Sequence, residues 1–285
     1  MYTFRPFVEA DIRQMHLVFL DAFADYALPF RLSYEQFLEK FIHKLNINLS
    51  LSVGAFYKDE LIAFIFTSTD TYLGQKTAYN GGTGVIPKHR GNSLTTRMYE
   101  YLWPQLEREG IKHAVLEVIT TNERAIKSYQ KCGFTIHKLY HCFRLKEENI
   151  ITDSSTRGIA IVPQAMANWP LYDAMLDWQP SYLDSSTVLK HNIAREHIAE
   201  ARIGDTVVGY IIFQPYASRI SQLAVAESYR GQGIGKSLLA YAFQHTSAKT
   251  ITWVNIDQHE KEMIQVLKQW GFENTVDQYE MIKRL

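Results

Sequence analysis

The sequence predicts an α/β protein, α+β in its connectivity, built as two similar domains in tandem, each a mixed and mainly antiparallel sheet flanked by helices. Three observations carry this. The chain has 285 residues, and at roughly 100–200 residues per domain that makes two domains, each long enough to bury its own core. The pair Arg90-Gly91, followed by Gly133-Phe134, returns as Arg230-Gly231 followed by Gly271-Phe272, offset by 140 positions at the arginine and 138 at the phenylalanine. Such an offset is too long for a solenoid repeat and suits a duplicated domain. Around both pairs, apolar runs joined by tight polar turns alternate with helical periods, as when strands and helices share one layered domain. The polar stretch Asp153-Ser154-Ser155-Thr156 has no apolar period, which divides the chain into domains at 1–148 and 157–285 with a linker at 149–156.

In the first copy, residues 26–42 read as helical or loop-rich, with Phe37, Phe41 and Leu45 along one helical face. Residues 51–57 and 61–69 read as strands joined by the polar hairpin Lys58-Asp59-Glu60. A third strand, 78–86, stops at Pro87. Leu94, Met98, Leu102 and Leu106 recur at intervals of four and define a helix over 93–108, which Pro104 should bend and Gly110 should end. Residues 114–119 form another strand, and Thr120 with Glu123 has the spacing of a capping box opening the next helix. Ala125, Ile126 and Tyr129 lie along that helix before Gly133. The second copy repeats this order: strands at His197–Ile203, Thr206–Gln214 and Arg219–Val225, a helix over 234–246, a strand over 250–256 and a helix over 260–270.

Thirty basic residues balance thirty acidic ones, and 46% of the chain is hydrophobic. That composition is globular rather than disordered, and the balanced charge gives no electrostatic footprint for nucleic acid or an anionic membrane. The longest apolar stretches, such as 207–213, fall far short of the ~20 residues of a membrane span. The opening Met1-Tyr2-Thr3-Phe4-Arg5 lacks the pattern of a signal peptide, so a cytoplasmic location is expected. Cys132 and Cys142 make no disulfide framework or metal spacing and read as buried thiols; none of the ten histidines stands out as a base or metal ligand.

The sharpest chemical feature is Arg230-Gly231-Gln232-Gly233-Ile234-Gly235, followed by Lys236. Alternating glycines between a strand and a helix start let successive backbone N–H groups converge on one concavity, which binds phosphate oxygens at the positive end of a helix. The spacing is neither that of a dinucleotide fold nor that of a P-loop; read alone, it is equally a Gly-rich turn. Preceded by Leu223-Ala224-Val225 and followed by Leu238-Leu239, the loop resembles the pyrophosphate loop of the GNAT N-acetyltransferase superfamily, whose pattern Arg/Gln-x-x-Gly-x-Gly/Ala is met by Arg230, Gly233 and Gly235. The first copy resembles the same family through Gly84-Val85-Ile86-Pro87, Arg90-Gly91, Leu116-Glu117-Val118, Asn122, Ala125-Ile126, Tyr129 and Gly133-Phe134. Together these cover nearly the whole chain, which looks like a tandem GNAT protein.

The resemblance implies acetyl-CoA as cofactor. Its contacts would be Leu223, Ala224, Val225, Arg230, Gly231, Gln232, Gly233, Ile234, Gly235 and Lys236 in the second copy, and Gly84, Val85, Arg90, Gly91, Asn92, Ser93 and Thr95 in the first. It also implies that the pantetheine arm lies as an extra strand in a splay between the fourth and fifth strands. A backbone N–H there polarises the thioester, a deprotonated amine attacks directly, and a tyrosine on the last helix protonates the thiolate. Tyr129 matches that tyrosine, and Asn122 and Glu117 are the other catalytic candidates, Glu117 as base or as part of a water chain to one. Plainer readings stand beside these: Tyr129 as core packing, Asn122 as a helix cap, Glu117 as a strand residue turned to solvent, and Lys236 as a solvated side chain. Tyr72-Leu73-Gly74 and the 22–30 segment, with Phe23, Tyr26 and Phe30, are expected to border the acceptor cleft.

Each copy departs from the pattern in a different place. The first has Ser93 and Thr95 where the second has Gly233 and Gly235; a left-handed Ser93 would cost roughly 1–2 kcal/mol and weaken phosphate binding about tenfold. The second has Leu267 at the place of Tyr129 and Glu260 at that of Asn122. General acid assistance is worth ~10²–10⁴ in rate, so losing it outweighs one strained loop residue, and catalysis is assigned to the first copy. The function expected is acyl transfer from acetyl-CoA to a primary amine on a small molecule or peptide. The alternative is a non-catalytic acyl-CoA-binding or interaction module left by duplication and decay.

Overall fold

The computed structural model describes residues 1–25, 31–149, 158–246 and 248–285. The chain forms two compact units, Met1–His137 with Tyr279–Leu285, and Lys138–Gln278. These differ at both ends from the halves drawn on the sequence, 1–148 and 157–285, and residues 150–156 of the expected linker lie outside the described residues.

The first unit runs through β1 (Tyr2–Pro6), α1 (Ile12–Ala22), α2 (Tyr34–Phe37, continued by a π-helical turn to Lys44), β2 (Val53–Tyr57), β3 (Glu60–Tyr72), β4 (Gln75–Val85), α3 (Leu94–Arg108), β5 (His113–Ile119) and α4 (Glu123–Lys131). The β2–β3 hairpin closes because Lys58 and Asp59 both take positive φ, 50° and 66°, the twist that suits a two-residue turn. Met15, Val18, Phe19 and Ala22 make one buried face of α1, and Phe19 packs on Phe41 and Phe64 at ring separations of 5.0 and 6.0 Å. On the other face of the sheet, α3 buries Leu94, Met98, Tyr99, Leu102 and Leu106 and runs unbroken through Pro104 to Arg108. The start of α4 corrects the capping-box expectation: Asn122, not Thr120, is the cap, its Oδ1 accepting the Ala125 N–H at 3.1 Å. Asn is the better acceptor one turn ahead of Ala125, so the helix opens two residues later.

A twelve-residue strand follows the Gly-Phe of each copy, β6 (Thr135–Lys146) and, at the chain's end, β12 (Glu273–Arg284). From Lys138 onward β6 belongs to the second unit, and from Tyr279 onward β12 belongs to the first. Each unit is thus completed by the other copy's last strand. In the first unit Met281 is fully buried and the Leu285 N–H donates to the Lys112 carbonyl at 2.9 Å.

The second unit adds β7 (Ala160–Gln164), α5 (Trp169–Met175), α6 (Ser186–Asn192), β8 (His197–Ile203), β9 (Thr206–Gln214), β10 (Arg219–Val225), α7 (Ile234–Gln244), β11 (Thr250–Asp257) and α8 (Lys261–Gln269). Phe143 and Leu145 of β6 are buried in its core and pair antiparallel with Trp253 and Ile251 of β11. Strand order is β1-β2-β3-β4-β5-β12 in the first unit and β6-β11-β10-β9-β8-β7 in the second.

The parallel contacts are where the sites form. β4 pairs with β5 only at Thr77, Ala78 and Tyr79, and β10 with β11 only at Arg219 and Ile220. In each unit the ladder to the preceding strand slips by one residue at that point, leaving Gly81 of β4 and Ser221 of β10 unpaired. A bulge bends and twists its strand, so β4 and β10 leave their parallel neighbours and a V-shaped opening follows. No helix among the described residues is long and apolar enough to cross a membrane.

Candidate active site

Both copies build the same loop beyond the splay. Arg90 and Arg230 have backbone angles of −65°, 159° and −66°, 159°. Gly91 and Gly231 follow at φ 82° and 75°, and Ser93 and Gly233 open α3 and α7 at φ 54° and 81°. Ser93 therefore carries the left-handed strain anticipated from the sequence, and the main-chain path is kept despite it. A Cβ built on Gly91 or Gly231 meets nothing within 4 Å, so both glycines border open space.

The two arginines brace this loop from behind. Arg90 Nε donates to the Val85 carbonyl at 3.1 Å and its other nitrogens reach Asp25 at 2.5 and 2.8 Å; Arg230 Nε donates to the Val225 carbonyl at 3.0 Å. Arg230 also pairs with Asp177 at 2.7 Å. The charge of both guanidinium groups is thus met by carboxylates within the same unit. Asn92 donates to the His89 and Arg90 carbonyls and fastens the first loop, while exposed Gln232 reaches only the Ser228 carbonyl at 3.5 Å.

In the second unit a cavity of about 410 Å³ lies against the loop. Of the sequence-predicted contacts, Leu223, Ala224, Val225, Arg230, Gly231, Gly233, Ile234, Gly235 and Lys236 line it, and Gln232 does not. Trp178, Trp253, Met263 and Trp270 complete its apolar wall; they come from the α5–α6 segment, β11, α8 and the residue after α8, so no local motif in the sequence marks them as a set. Trp253 is buried, and its indole N–H has no hydrogen-bond partner among the described residues. Gly235 has a second reason to be glycine: a Cβ there would stand 2.5 Å from the Trp270 ring. Gly84 is likewise a packing glycine, its Cβ position lying 2.6 Å from Phe64 and 2.9 Å from Ala22.

The three catalytic candidates read from the sequence, Glu117, Asn122 and Tyr129, all lie in the first unit. Tyr79, the last β4 residue paired to β5, donates its hydroxyl to the carboxylate of Glu117. Leu116 and Val118 are buried in the core beneath α3 and α4, so strand alternation puts half-buried Glu117 on the opposite face, towards α1. Tyr129 packs against that core beneath α3 and α4, edge-on to Phe134 at 6.0 Å. Packing and strand alternation thus place Glu117 and Tyr129 against different faces of the sheet. Asn122 is engaged as the α4 cap.

One device was not read from sequence. Asn80, the first β4 residue beyond the parallel pairing, accepts the Gly82 N–H on Oδ1 at 2.9 Å and donates Nδ2 to Tyr99 and Thr83 hydroxyls, each at 2.7 Å. It bridges the bulge and ties it to α3. Burial pushes the Tyr99 phenol well above its ordinary range, and neighbouring Tyr129 adds to this. Burial also lifts the Cys132 thiol to about 11, which leaves it an unreactive core group. On the expected acceptor side, Phe23 packs on Phe19 and Phe64, and the buried Tyr72 hydroxyl donates to Glu280 at 3.0 Å. Tyr26 and Phe30 lie outside the described residues.

Two units, each with a splayed parallel strand pair leading into an amide-lined loop at a helix start, define a class of acyl-transfer fold. The chain belongs to the acetyltransferase (GNAT) family, which matches it twice, over residues 17–134 and 165–272. Among solved structures it resembles the tandem GNAT protein from the clavulanic acid biosynthesis pathway, at 12% identity and TM-score 0.74 over 100% of this chain and 98% of that one. A GCN5-related N-acetyltransferase from Sphaerobacter thermophilus matches at 17% identity and TM-score 0.72, over 99% and 95% of the two chains. No curated protein sequence matches the chain.

Proposed function

We propose that this protein transfers an acetyl group from acetyl-CoA to the primary amine of a small molecule or peptide, with the chemistry in the first unit. The observation that carries the assignment is Glu117, held by the Tyr79 hydroxyl at the mouth of a splay whose unit also keeps Tyr129. The residues present fit the donor: loops at Arg90–Asn92 and Arg230–Gly233 with open space over their glycines, and in the second unit an unpartnered indole N–H on an apolar wall. Acetyl-CoA supplies an acyl group activated as a thioester. The loop N–H groups hold its diphosphate. The strand beyond Gly81, freed from β5, offers main-chain groups to an extended ligand. Glu117 accepts the proton of the incoming ammonium group, directly or through water, while Tyr79 steadies it. The freed amine attacks the acyl carbon, the C–N bond forms and the C–S bond breaks. Tyr129 then gives its proton to the departing sulfur. The nitrogen releases its surplus proton to water, from which Tyr129 is reprotonated after each turnover. The cytoplasm is the compartment this reading assumes.

A second reading, a non-catalytic acyl-CoA-binding module, draws on the cavity lying in the unit with Leu267 in place of the tyrosine. Thioester consumption measured against a panel of primary amines separates the two. Turnover with at least one amine, reduced 100-fold or more by Tyr129→Phe, is the expected result; unchanged turnover removes Tyr129 from its role, and no turnover with any amine favours the module.

A further inference from the structure

The second unit's splay is open on one face and filled on the other. We propose that residues 181–185 are a built-in plug on its acceptor face, so that this unit holds an acyl-CoA without passing the acyl group on. The inference rests on the acetyl-CoA reading above and adds to it a division of labour.

The cavity lies on the side of α7 and α8. On the opposite face, where an amine would enter, β10 and β11 present Arg219, Gln222 and Asn255, and the segment between α5 and α6 is fastened across them. Asp184 receives two guanidinium nitrogens of Arg219 on its two oxygens, at 2.7 and 2.6 Å. Its main-chain carbonyl accepts from Gln222 Nε2 at 2.7 Å, and Asn255 Nδ2 donates to Ser181 Oγ at 3.4 Å. The Tyr210 hydroxyl closes the network by donating to Gln222 Oε1 at 2.9 Å. Ser181, Tyr182 and Asp184 are only 1–2% exposed.

A bidentate pair this deeply buried resists opening, because separating it strands a charge away from water. The fastening also falls on the splay itself: Arg219 is one of the two residues of β10 that pair with β11, and Gln222 is the first beyond the bulge. The first unit differs at the same place. Residues 80–83 of β4 are all half-exposed, whereas residues 220–224 of β10 are all buried. With Leu267 where Tyr129 stands in the first copy, the second unit lacks both a way in for the amine and a proton for the thiolate. An acyl-CoA seated in its cavity keeps its thioester.

The test uses the full chain carrying Glu117→Gln and Tyr129→Phe. Trp178, Trp253 and Trp270 line the second cavity, and adding Trp103→Phe removes the tryptophan that packs on Tyr99 in the first unit, so tryptophan fluorescence reports the filling of the second cavity. The expected result is a saturable fluorescence change with acetyl-CoA, and amine-dependent thioester consumption at least 100-fold below that of the unsubstituted chain. Saturation with undiminished consumption overturns the plug and leaves the acetyl-CoA reading standing. No saturation overturns the inference, and if the unsubstituted chain also consumes no thioester the acetyl-CoA reading falls with it. Hydrogen exchange on the unsubstituted chain reads the plug directly: slow exchange at Asp184 and Ser185, with or without acetyl-CoA, is expected, and exchange as fast as in an exposed loop overturns it.

Discussion

Ser93 and Gly233 open their helices in the same left-handed conformation, at φ 54° and 81°. An L side chain is strained there and glycine is not. Ser93→Gly should therefore stabilise the first unit by about 0.5–1 kcal/mol, the relief of strain less the entropy that glycine adds to the unfolded chain. Urea denaturation checks this as a higher midpoint at unchanged slope; a lower midpoint contradicts it.

Gly235 and Trp270 form a size-matched pair, and Thr95 and Cys132 occupy the corresponding places in the first copy. Gly235→Ala should destabilise the chain by ~1–3 kcal/mol through overpacking against the indole. Adding Trp270→Cys should recover part of that loss, which a double-mutant cycle measures as coupling between the two sites. Additive losses would mean that the ring does not set the constraint.

The Asn80–Tyr99 link predicts a positioning effect. Asn80→Ala removes the side-chain acceptor of the Gly82 N–H and one of the hydrogen-bond partners of the Tyr99 hydroxyl together, whereas Tyr99→Phe removes one hydroxyl. Asn80→Ala is expected to lower kcat about tenfold or more, with a smaller change in KM for acetyl-CoA, and Tyr99→Phe to lower it less. Equal loss of stability and kcat in both variants would reduce the link to packing.

Glu260, at the start of α8, has its pKa raised from 4.5, first by burial and then by Asp257 and Asp177. The folded chain then holds this proton more tightly than the unfolded one, so the group favours folding at low pH, and that contribution is lost as pH rises from 4.5 through the raised value. Glu260→Gln should raise Tm at pH 7, with the difference vanishing below the ordinary glutamate range. A lower Tm at pH 7 contradicts this.

Much of the fold was legible because periodicity is local. The continuous apolar run of β3 and the four-residue spacing of Leu94, Met98, Leu102 and Leu106 fix their own elements whatever they pack on. The exchange of β6 and β12 was not legible: the two strands follow equivalent helices, and nothing local says which sheet will receive Phe143 or Met281. The loop was readable because a left-handed backbone leaves a glycine signature, even where Ser93 breaks it. Tyr79, Asn80 and Tyr99 were not, since the partner of Tyr79 is brought to it by the β4–β5 pairing and those of Asn80 by the bulge at Gly81 and the packing of α3. Arg90 and Arg230 sit where the motif predicts, yet spend their charge on Asp25 and Asp177.

If main-chain N–H groups at a helix start grip a diphosphate, calorimetric titration with coenzyme A and with pantetheine, which lacks the nucleotide and diphosphate, tests this most directly. Coenzyme A is predicted to bind at least 100-fold more tightly than pantetheine. Equal affinity for the two, or no heat with coenzyme A, would contradict it.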